Sequence, residues 1–195
     1  MGYNIVQNDS GLSIADTDTR LGLVTQPATG SIKIKRENFG PLNQIVLTLD
    51  NVPQTVVNGT EYQGTKLFTF PEGRLFVVGV TATLRQKTTS VLASTLNASS
   101  TGAIALGTAT ASSTTLATTM VDLLPSTAFT SSATINVAGT AVSAALSAGA
   151  QFDGTSAAKS MYLNTAYATT TDVDGDATQT ISGTITCTYI WLGDY

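Results

Sequence analysis

Apolar and polar residues alternate with a period of two along much of the chain, and the apolar positions are filled by Val, Ile and aromatic residues. From Gln179 to Leu192, Ile181, Ile185, Cys187, Tyr189 and Trp191 fall on one face of an extended segment. Thr180, Ser182, Thr184, Thr186 and Thr188 fall on the other. From Leu75 to Arg85, Phe76, Val78, Val80, Ala82 and Leu84 share a face, with Thr81, Thr83 and Arg85 opposite. Both segments read as long strands with an apolar side and a threonine side. Shorter strands are predicted over residues 31–37, 44–50, 65–70, 104–109, 133–137, 141–146 and 159–168.

Punctuation between these runs supports a sheet protein. Pro71-Glu72-Gly73 supplies a fixed φ and then a residue free to take positive φ, which predicts a hairpin from residues 66–70 into the strand starting at Arg74. Asn51-Val52-Pro53 and Asn58-Gly59 mark further turns. One short helix is predicted, since Leu116, Met120, Leu123 and Leu124 are helically spaced and Pro125 stops the run. Many short strands with glycine-rich turns indicate an all-β sandwich or jelly roll. Residues 1–30 carry polar turns and little periodicity, so they read as an N-terminal arm or a frayed terminus ahead of a β-sandwich domain over 31–195.

Composition sharpens this picture in one respect. Charged residues make up 11% of the chain, against about 25% in typical domains, and Thr, Ser, Ala and Gly take their place. Between Lys87 and Lys159 the only charges are Asp122 and Asp153. Hydroxyl-rich faces are cheaper to desolvate than charged ones, which suits contact with other protein, although a weakly charged solvated surface has the same composition. The net charge of −4 and the absence of a basic stripe disfavour nucleic-acid binding, and no apolar run is long enough to span a membrane. The N-terminus has no signal-peptide pattern, so synthesis and assembly in the cytoplasm are expected.

Candidate chemistry is sparse. The chain has no histidine, which removes the Ser-His-Asp and Cys-His nucleophile systems and the commonest metal ligand, so no enzyme activity and no cofactor are expected. The lone Cys187 alternates with Ile185 and Tyr189 and reads as a small buried hydrophobe. Asp172, Asp174 and Asp176 alternate around Gly175 like part of a calcium loop, but no glutamate follows at the distance an EF-hand needs, and a polar turn is the plainer reading. Lys33, Lys35 and Arg36 are interface candidates. Lys33 and Lys35 share a strand's polar face while Arg36 falls in the apolar register, and the lysines could dock an acidic neighbour or guard an edge strand.

Three segments carry a resemblance. Residues 58–74 (NGTEYQGTKLFTFPEGR), the run Phe152-Asp153-Gly154-Thr155-Ser156-Ala157-Ala158-Lys159 with Tyr162-Leu163-Asn164, and the ending 185–195 (ITCTYIWLGDY) resemble stretches of small structural proteins of tailed bacteriophages. The likeness covers roughly residues 55–195. It implies a capsid decoration or cement protein with a jelly-roll-like fold, often a homotrimer, bound to the major capsid protein on the outer capsid surface. It carries no catalytic residues. Two rival readings are a tail-tube or tail-associated protein and a glycan- or receptor-binding module with Tyr162, Tyr167 or Trp191 as stacking platforms.

Overall fold

A computed structural model describes residues 22–39, 41–57, 59–88, 101–131, 137–139, 141–146, 148–167 and 177–193. Their strands are β1 (Leu23–Val24), β2 (Ser31–Phe39), β3 (Leu42–Val56), β4 (Tyr62–Thr69), β5 (Gly73–Thr88) and β6 (Thr101–Gly107). They continue with β7 (Leu124–Thr130), β8 (Val142–Ala145), β9 (Ala150–Gly154), β10 (Ser160–Tyr167) and β11 (Ala177–Gly193). One sheet, A, has the order β1-β4-β10-β6-β7. The other, B, has the order β2-β3-β11-β5-β8, with β9 also paired to β5. All the pairings are antiparallel. The all-β sandwich expected from alternation is therefore present, while the strand order does not by itself establish a jelly-roll path.

Periodicity places β11 correctly. Ile181, Ile185, Cys187 and Tyr189 are buried between the sheets, and Thr184 on the opposite face is exposed. The strand β5 differs from its predicted pattern. Leu75 and Val77 are buried, as are Val80, Ala82 and Leu84, whereas Phe76 and Val78 face outward. The cause is a bulge: Thr188 pairs with Gly79 but Tyr189 pairs with Val77, so Val78 is an extra residue and the inward parity switches there. A second bulge sits in β3, where Ile181 opposes Val52 and Gly183 opposes Leu49. That bulge holds Asn51 at φ +51.

Three other expectations change. Pro71-Glu72 does not close a hairpin, because β4 belongs to sheet A and β5 to sheet B, so the segment carries the chain between sheets. Gly73 is required there, since at φ +117 a Cβ would stand 2.5 Å from the Gly193 carbonyl oxygen. The helix over 116–124 is only a 3-10 turn at Thr118–Met120. Leu123 and Leu124 are buried as expected, but the segment is rich in threonine, which favours helix poorly, and Thr118 takes φ +53. Pro53, read as a turn, lies inside β3. The partner β2 has no residue opposite it there, so the missing N–H breaks no ladder on that side.

Of the segment 1–30, residues 1–21 lie outside the described residues, and Leu23 and Val24 pair with Thr69 and Phe68 at the edge of sheet A. The strand predicted over 133–137 lies outside them except for Val137.

The main core lies between the sheets and runs through Ile45, Leu47, Leu67, Leu75, Leu84, Ile104, Leu106, Leu163 and Ile185. An edge-to-face aromatic chain bridges the layers at one end: Phe68 to Phe70 at 5.2 Å and Phe70 to Tyr189 at 5.5 Å. At the other end the interior turns polar. The Tyr167 hydroxyl donates to Gln179 Oε1 at 2.7 Å, Gln179 Nε2 donates to Thr165 Oγ1, and Thr165 Oγ1 donates to Gln54 Oε1.

Candidate functional site

The two sheets differ in what covers their outer faces. On sheet A, residues 108–123 fold back over β6 and β10 and build a second small core from Ala105, Ala111, Leu116, Met120 and Ala166. Asn164, fully buried, pins that flap: its Nδ2 donates to the Ala109 and Met120 carbonyls at 2.9 and 2.8 Å, and its Oδ1 accepts from the Ala111 N–H at 2.8 Å. Asp122 fixes the flap's return by accepting from the Thr108 N–H and hydroxyl at 2.7 and 2.6 Å. Burial raises the Asp122 carboxyl above its ordinary range, and those two bonds oppose the rise.

On sheet B no described residues fold over the outer face, and strand register arranges it in zones. Phe39, Leu42, Ile190 and Phe76 stand in one row across β2, β3, β11 and β5. Phe39 is 57% exposed, Phe76 37%, and the adjacent bulge residues Val78 and Leu192 are 42% and 44% exposed. Large apolar side chains clustered in this way at a surface mark contact sites more than scattered ones do. The middle rows are hydroxylated: Thr48, Thr184, Thr83 and Ser143 lie side by side, and Thr186 opposes Thr81 in the next row.

Beyond the threonines lies a groove of about 440 Å³, lined by Asn51, Thr83, Arg85, Lys87, Ala138, Ser182, Gly183 and Thr184. The β3 bulge shapes one wall. Asn51 donates its N–H to Ser182 Oγ at 2.9 Å and its Nδ2 to Asp50 at 2.7 Å. Gly183, at φ +145, lies so close to β5 that a Cβ would stand 2.1 Å from the Thr83 carbonyl oxygen. Ala138 lines the side beyond β5, joined to that strand by the Lys87–Ala138 bridge and by the Gly139 N–H donating to the Gln86 carbonyl at 2.8 Å.

The three interface candidates from the sequence separate here. Lys33 and Lys35 are exposed on the open face, in the same rows as Thr48 and Val46, and Lys35 pairs with Glu37. Arg36 turns the other way, half-buried, and donates to the Gly22 carbonyl at 2.8 Å, tying β2 to the start of β1. It works within the fold. Asp172, Asp174 and Asp176 lie outside the described residues, and among the described residues no cluster of three metal-ligating side chains occurs.

The aromatic platforms fare differently. Tyr167 is fully buried and packs edge-to-face on Phe129 at 5.7 Å, so it cannot stack on a sugar. Trp191 is half-buried against the core and donates its indole N–H to the Glu72 carbonyl at 2.8 Å. Cys187 is fully buried, and burial alone pushes its thiol up to about 12. A protonated thiol without access is no nucleophile.

Sequence reasoning missed the groove. Arg85 and Lys87 were visible as alternate residues, but Asn51 and Ser182 reach them only through pairing across more than 90 residues and a bulge. No protein-family model matches the chain, and no curated protein matches it.

Proposed function

We propose that this chain is a structural subunit of a tailed-phage virion, a capsid decoration protein that binds the outer capsid surface through the open face of sheet B. The observation that carries the reading is the asymmetry of the sandwich. One sheet has its middle strands β6 and β10 covered by the chain's own flap, while the other presents rows of threonine and serine, flanked by lysines and arginines and ending in exposed phenylalanines. The hydroxyl rows lose little on desolvation, the apolar end gains from it, and the flanking charges add complementarity, which is the balance a lattice contact needs. The phage resemblance in residues 58–74, 152–164 and 185–195 supports the same reading. The major capsid protein is the proposed partner and a homotrimer the proposed form, with many weak contacts on a repeating lattice adding up by multivalency.

Subunit-resolution imaging of purified virions tests this. Density for the sandwich on the capsid exterior, with sheet B toward the shell, is the expected result. Density in the tail would replace it with a tail role, and absence from the particle would end the virion reading.

A further inference from the structure

We infer that the groove at the β3 bulge is a carboxylate-binding socket that takes an acidic segment of a protein partner. The groove is rich in donors. Arg85 and Lys87 project into it from alternate positions of β5, roughly 7 Å apart along the strand. The Ser182 hydroxyl accepts the Asn51 N–H, which leaves its own proton to donate outward. Among the described residues, no carboxylate lines the groove and no ion pair engages Arg85 or Lys87. The neighbouring acid, Asp50, is held by the Asn51 side chain. Two cations and a hydroxyl around an open cleft match the acceptor-only chemistry of a carboxylate.

The local backbone supports a built feature. Asn51 adopts positive φ, and Gly183 can be only glycine at its distance from Thr83. Strain of this kind persists where the surrounding structure enforces it. The charge of the face points the same way. Lys33, Lys35, Arg74, Arg85 and Lys87 give it five of the nine cations, with three acids among the thirteen, in a chain of net charge −4.

A protein segment fits better than a sugar, because no aromatic ring among the described residues lines the groove to stack on a pyranose. A second copy seated face to face fits poorly. A twofold contact would set this basic end against its own counterpart or against the Phe39–Phe76 row about 26 Å away along β11. The assignment rests on sheet B being the docking face, and it adds the chemistry of what that face recognises.

Fluorescence anisotropy of labelled oligoglutamate, titrated with the intact chain at low salt, tests it without any virion. Arg85→Gln with Lys87→Gln is expected to weaken binding roughly tenfold or more, and Lys33→Gln with Lys35→Gln, which removes equal charge from the same face, by no more than roughly threefold. Equal loss in both pairs, or no binding by the unaltered chain at millimolar peptide, overturns the socket. Tighter binding of polygalacturonate than of oligoglutamate overturns the protein class of the ligand. Self-association abolished by the Arg85/Lys87 pair overturns a foreign partner. Socket binding by a chain that imaging finds nowhere on a virion would keep the socket and refute the decoration role.

Discussion

At the scale of single residues, burial decides the chemistry. Cys187 pairs with Val80 and Ile45 in the middle of sheet B, without solvent contact. A thiol reagent is expected to find no reactive thiol in the native chain and one per chain in denaturant, and a native reaction would refute the burial. The same burial sets a pH dependence. Burial raises the thiol from 9.0 to about 12, and burial with the nearby Cys187 raises Tyr189 from 10.0 to about 12. Both groups bind protons more tightly when folded, so their contribution is fully present below pH 9 and is lost as pH rises toward 12. Stability measured by urea unfolding should fall across that alkaline window, and a flat profile would contradict it. Asn164→Ala strips three bonds from buried partners in the flap, and a loss of about 3 kcal/mol or more is expected in the same assay.

At the scale of elements, the strands were legible where alternation runs unbroken and illegible where geometry breaks it. The apolar set of β11 and the pair Ile32 and Ile34 of β2 obey a strict period of two over their lengths, so their faces follow from spacing. In β5 the pattern Leu75-Phe76-Val77-Val78 is apolar at every position, so parity cannot be chosen locally. Pairing with β11 chooses it through the Val78 bulge. Pro71-Glu72-Gly73 has good turn chemistry, but whether a turn joins neighbours or crosses layers depends on partners far away in sequence. Lys33 and Lys35 lie on the face that alternation predicts, whereas the groove depends on a cross-strand register that spacing does not set.

The bulges also make glycine positions unequal. Gly183→Ala must displace the Thr83 carbonyl and adopt φ +145, so a cost of about 2 kcal/mol or more is expected. Gly79→Ala, on the open face with nothing within 4 Å of its Cβ, should change stability by less than about 1 kcal/mol. Similar losses at both sites would show that the contrast between them is wrong.

At the scale of the whole molecule, the two outer faces predict separable effects. Phe39→Ser with Leu192→Ser alters side chains that are about half exposed, so each should shift folding stability by about 1 kcal/mol or less. Under the proposed role the same pair should abolish cosedimentation with capsids. Retained cosedimentation would move the contact off this end of sheet B. Asn164→Ala is its counterpart, expected to cost stability while leaving the open face chemically intact.

Having one face partly covered also limits how such a molecule can pile up. A sandwich with two bare sheets could stack on copies of itself without end, like bricks. With residues 108–123 clasped over β6 and β10, a subunit seated by sheet B offers newcomers a far side whose middle strands are already covered. Deposition on a surface would then stop at one layer, a coat of fixed thickness whose amount is set by the surface beneath and not by the supply of subunits.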